Sequence, residues 1–142
     1  MAAAAWWSIG ATRTAVSSSE PYTRYAAAAA WLQQNTPQGS LVFQTDWDDF
    51  PELFFYNHHN TYLAGLDPTY MALYDEELYA MWVALTRGQV GNPGQIIAAS
   101  FGARYVISDH GHGAFIDEAM ADPGMRLVFE DNGAVIFEVL AE

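Results

Sequence analysis

The chain has 142 residues, 51% of them apolar and 15% aromatic, enough for one domain with a substantial core and too apolar for a disordered segment. It carries 17 acidic residues against five arginines and no lysine. The resulting net charge of −12 excludes a basic nucleic-acid-binding surface and disfavours adhesion to an anionic membrane surface. Cysteine is absent, so there is no disulfide framework, zinc–thiolate site or thiol nucleophile.

Residues 1–19 read as an N-terminal arm ahead of a single α/β domain over residues 20–142. The opening MAAAAWWSIGATR is mostly apolar and passes through two tryptophans into polar residues, as a membrane helix does on leaving the bilayer. It lacks the basic segment of a signal peptide, and no run of about 18 apolar residues follows. The arm is therefore expected to be the end of a membrane helix, or else a linker.

Pro21 opens a helix over PYTRYAAAAAWLQQN, with Tyr22, Tyr25, Ala29 and Leu32 on one face. TPQG is a turn and SLVFQT a strand. Pro51 keeps Phe50 from helical geometry, so PELFFYN is about two turns of helix beginning there, with Phe54 and Phe55 read as core. TYLAGL is a second strand. Asp67 and Pro68 open one long helix, TYMALYDEELYAMWVALTR, with Met71, Tyr74, Leu78, Met81, Trp82 and Leu85 as its apolar stripe. GQIIAASF is a short helix ended by Gly102, RYVIS a central strand and AFIDEAMA a helix. MRLVFE and AVIFEVL form a hairpin around Asn132 and Gly133.

This order predicts a three-layer α/β fold: a mixed, twisted sheet of about five strands, a parallel core plus a C-terminal antiparallel hairpin, with helices on both faces. Ligands of such sheets bind at the carboxyl ends of the strands. Two unusual loops sit there, DWDD after the first strand and DHGHG after the third. If the two strands are parallel, the loops share one edge of the sheet.

Asp46, Trp47, Asp48 and Asp49 are the substrate-binding candidates. Their carboxylates suit hydrogen bonding to a ligand or capping of the helix at Pro51, and Trp47 suits stacking. Asp46, Asp49, His110 and His112 are the metal candidates: clustered carboxylates bind a divalent cation, and His-x-His in an extended segment sets two imidazoles on one side. Nucleophilic catalysis has little support, since Ser108 beside Asp109 and His110 is only a chain neighbourhood.

The stretch YAAAAAWLQQNTPQGSLVFQTDWDDFPELFFYN resembles the soluble domain after the last membrane helix of polytopic, lipid-sugar-dependent glycosyltransferases of the GT-C class, which include oligosaccharyltransferase-like proteins. FGARYVISD is similar to a later strand of that family. The oligosaccharyltransferase segment W-W-D-Y-G would fall on Asp46, Trp47, Asp48 and Asp49, but only Trp47 matches its double tryptophan, Asp49 replaces the tyrosine and Phe50 the glycine. The resemblance implies an extracytoplasmic accessory domain that helps position a glycan, a polyprenyl-linked sugar or an acceptor. Its partner would be the membrane-embedded remainder of the same chain, and it would be inactive alone. The alternatives are a free-standing metal-dependent enzyme using the Asp46, Asp49, His110 and His112 loops, and a structural or interaction domain.

Overall fold

A computed structural model describes residues 21–140. The arm at residues 1–19, with its expected membrane-helix end, lies outside the described residues. The elements are α1 (Ala26–Asn35), β1 (Leu41–Gln44), α2 (Phe50–Tyr56), β2 (Thr61–Tyr62), α3 (Thr69–Tyr74), α4 (Glu76–Thr86), α5 (Pro93–Ile96), β3 (Tyr105–Ser108), α6 (Gly113–Ala121), β4 (Met125–Glu130) and β5 (Val135–Val139). A π-turn over Ile97–Phe101 continues α5 and closes at Gly102 with φ 68°.

The strands form one sheet in the order β2-β1-β3-β5-β4. β1 pairs parallel with β2 and β3, while β5 pairs antiparallel with β3 and β4. The mixed sheet inferred from the sequence is thus present. β3 lies at its centre and is buried along its whole length, as its apolar run predicts.

Strand alternation divides the core into two layers. Phe43, Val106 and Phe137 face α4, α5 and α6, where Trp82, Leu85, Ile97 and Phe115 are buried. Val42, Tyr105, Ile107 and Ile136 face α1 and α2, meeting Tyr25, Ala28, Leu32 and Leu53. Helices on both faces complete the three layers.

Three sequence expectations change. The long helix after Pro68 is broken at Asp75, whose backbone is extended (φ −154°, ψ 100°) and whose side chain accepts a bond from Leu78 N at 2.9 Å. Asp75 thereby acts as the N-cap of α4. The break takes Tyr74 and Met81 off the buried stripe: they are exposed, while Trp82 and Leu85 remain in the core. In α2 only Leu53 is buried. Phe54 and Phe55 are exposed rather than core, because this short helix offers one face to the sheet and Leu53 fills it. Phe54 instead stacks outside between Phe50 and His58, with ring centroids 5.3 and 4.5 Å apart. Tyr22, expected on the buried face of α1, is likewise exposed, since α1 begins only at Ala26.

Candidate functional site

Because β1 and β3 are parallel neighbours, the loops that follow them leave the same edge of the sheet. β5 is antiparallel to β3 and begins opposite Ser108, so the β4–β5 turn joins them there. The start of α1 completes the group. At Gly133, an added Cβ would lie 2.4 Å from the carbonyl oxygen of Arg24, so only glycine lets the hairpin turn pack against that backbone.

Arg24 ties the two strand-end loops together. Its Nη2 donates to Asp49 Oδ1 at 2.7 Å and reaches Asp109 Oδ2 at 3.5 Å. The same group donates to Tyr25 OH, and Tyr25 OH donates to Asp49 Oδ2. Asp109 Oδ1 accepts from His112 Nδ1 at 2.7 Å and from Gly111 N at 3.0 Å. Beneath, buried Thr45 donates to Ser108 Oγ at 2.9 Å, and Ser108 donates to the Asp109 carbonyl at 3.0 Å. Ser108 is thus part of the scaffold rather than a nucleophile.

The electrostatics follow from burial and charge crowding. Burial pushes the Asp49 carboxyl up to about 6, against the lowering influence of the Tyr25 hydroxyl and the Arg24 charge. Asp48 is raised by its hydrogen bond with Asp46, with its partial burial and the Asp46 charge acting in the same direction. The hydrogen bond with His112 holds Asp109 below the usual carboxylate range, and the same bond raises His112. Burial, then the bond to Asp49, keeps the Tyr25 hydroxyl protonated far above its ordinary range.

The metal expectation is corrected by this arrangement. Among the described residues no group of three or more His, Cys, Asp or Glu side chains is placed to hold a metal ion. The expected set of Asp46, Asp49, His110 and His112 is pulled apart by other partners. Asp49 is taken by Arg24 and Tyr25, His112 by Asp109, and His110 Nε2 donates to the Asp131 carbonyl at 2.7 Å. The guanidinium of Arg24 supplies the cation around which the carboxylates gather. Capping is not made either: Asp49 stands at the N-cap of α2 with no side-chain bond to its amides.

What remains open to a ligand is narrower than the sequence cluster. Trp47 is 38% exposed, Asp48 is exposed and Asp46 half-buried. His58 and His59 leave at the opposite, amino edge. There His59 Nε2 donates to the Thr36 carbonyl at 2.8 Å, and His59 N donates to Asn57 Oδ1 at 2.8 Å. Asn57 Nδ2 donates to Asn60 Oδ1 at 2.7 Å, and Asn60 Nδ2 to Thr36 Oγ1 at 2.7 Å.

Sequence reasoning missed Arg24 as the hub and Tyr25 as its companion. One signal was present: Arg24 is the only cation between Arg13 and Arg87, in a stretch that holds every candidate aspartate of the first loop.

No protein-family model matches the chain, and no curated protein matches it. Among the described residues no helix is long and apolar enough to cross a membrane. The glycosyltransferase resemblance rests on the residues quoted for it alone. The reading as a glycosyltransferase-like, GT-C membrane fragment therefore gives way to what is observed, an acidic α/β domain.

Proposed function

We propose that the domain is a non-catalytic binding module whose carboxyl-edge loops position a polyhydroxylated ligand, a glycan, on Trp47 and the Asp46–Asp48 carboxyl pair. One observation carries the reading: an exposed tryptophan stands between two carboxyl groups that hydrogen-bond to each other, on a loop anchored to its neighbour through Arg24. An indole face stacks on the apolar C–H side of a sugar ring. Carboxylate oxygens accept hydrogen bonds from sugar hydroxyls, and the charge on the acceptor strengthens those bonds.

The frame behind these groups limits the ordering cost of binding. Asp49 and Asp109 are held by Arg24, Tyr25 and His112, so they act as positioning residues for the loop rather than as ligand contacts. The proposal keeps the ligand-positioning part of the sequence expectation and leaves its membrane-enzyme part aside.

Titration of a panel of neutral oligosaccharides, followed by tryptophan fluorescence and calorimetry, tests it. Saturable binding is expected, lost in Trp47→Ala and weakened about tenfold in Asp46→Asn/Asp48→Asn. Absence of binding at millimolar oligosaccharide, or binding indifferent to Trp47→Ala, contradicts it.

A further inference from the structure

α3 and the loop before it present an apolar face that no described residue covers. Leu66, Tyr70, Leu73 and Tyr74 are 70, 66, 81 and 89% exposed. Tyr70, Leu73 and Tyr74 stand at i, i+3 and i+4, on one side of the helix. No residue of α3 is buried, and Met71 packs only in part against the core.

The helix is nevertheless fixed at both ends. Asp67 Oδ1 accepts from Thr69 N at 2.8 Å and from Thr69 Oγ1 at 2.6 Å. Asp75 caps the helix that follows. The face is therefore displayed on an ordered element, and exposed apolar surface displayed in this way marks an interaction site.

Charge says what kind of partner fits. In the sequence the face is flanked by Asp67, Asp75, Glu76 and Glu77, all exposed, and no lysine or arginine occurs between Arg24 and Arg87. The Thr69 hydroxyl and amide hold the Asp67 carboxyl below its ordinary range, so this border stays anionic. A second copy is a poor occupant. A two-fold contact would set acidic border against acidic border on chains that each carry −12.

We propose that this face docks a basic amphipathic segment of a partner protein. Its apolar side chains would pack on Tyr70, Leu73 and Tyr74, and its lysines and arginines would meet Asp67, Asp75, Glu76 and Glu77. Such a segment binds as an amphipathic element laid on an apolar surface, with the flanking charges setting specificity and on-rate.

The probe is a synthetic helical peptide with a leucine face and lysine–arginine flanks, beside a twin carrying glutamate at every basic position. Binding to the full chain is followed by fluorescence anisotropy at low and high salt. The basic peptide is expected to bind and its twin not. Leu73→Ser/Tyr74→Ser keeps every charge and is expected to weaken binding by at least about tenfold. Glu76→Gln/Glu77→Gln is expected to weaken it several-fold and flatten the salt dependence. Phe55→Ser, an exposed aromatic elsewhere, is expected to change nothing. All these side chains are exposed, so each variant should melt with the parent. Equal binding of the basic peptide to Leu73→Ser/Tyr74→Ser overturns the proposal, because attraction would then be to net charge alone. So does failure of the peptide to bind the parent, or self-association of the chain that Leu73→Ser/Tyr74→Ser abolishes.

Discussion

At the amino edge of the sheet, Asn57, Asn60 and Thr36 are buried and bonded to one another and to His59, with no carboxylate or arginine among them. At the carboxyl edge, Arg24, Tyr25, Asp49, Asp109 and His112 form an equally connected cluster that is charged and titrates. Both serve the same short stretch of chain, since α2 runs from one edge to the other. The amino-edge network satisfies the backbone and side-chain groups of a buried loop and leaves nothing for a ligand. The carboxyl-edge cluster uses its charges to hold a second set, Asp46, Trp47 and Asp48, at the surface. Polar density alone does not mark a site; groups left over once the internal bonds are made do.

The comparison breaks most readily at its hub. Arg24→Leu strands Asp49 and Asp109 in partly buried positions and is expected to cost about 3 kcal/mol at pH 8, measured by urea unfolding. The loss should shrink toward pH 5, where Asp49 takes up a proton.

The second test is the pH profile of the parent protein. Asp49 rises from 3.8 to about 6 on folding, so the folded state binds the proton more tightly and stability falls as pH rises between those values. The size is about 3 kcal/mol. His112 is raised, so its contribution is full below 6.5 and is lost as pH rises through the folded value. Asp109 is lowered and acts oppositely, its contribution lost only as pH falls below the ordinary carboxylate value. Stability should therefore decline from about pH 4 to about pH 6 through Asp49, and further above 6.5 through His112. Asp49→Asn should remove the lower part of the slope and His112→Gln the upper part. A flat profile, or one that rises with pH, contradicts the assignment.

The amino edge gives the control. Asn57→Ala orphans His59 N and Asn60 Oδ1 and is expected to cost roughly 2 kcal/mol, with a pH profile parallel to the parent's. A change in the shape of that profile would blur the distinction between the clusters. The smallest effect belongs to the surface: Trp47→Ala should change stability by less than about 0.5 kcal/mol while removing ligand binding.

The sheet was legible because helix and strand periods alternate cleanly, and parallel pairing then placed the DWDD and DHGHG loops on one edge. The break at Asp75 was not, because its acidic neighbours Glu76 and Glu77 suit a helix interior as well as a first turn. Phe54 and Phe55 misled for a different reason: hydrophobicity says what prefers burial, while a short helix has one face to bury. The metal set failed because residue type shows which side chains can ligate and not which are already spoken for. Arg24 and Tyr25 took Asp49, Asp131 took His110 and Asp109 took His112, pairings that residue type alone does not show.

The most direct test is a residue-resolved titration of the full chain with the tightest-binding neutral oligosaccharide, followed by amide and indole chemical shifts. Saturable shifts at Asp46, Trp47 and Asp48, with Asn57, His59 and Asn60 unmoved, are the expected result. Shifts centred on the amino-edge network, or none at Trp47, would contradict the assignment of the carboxyl edge as the functional face.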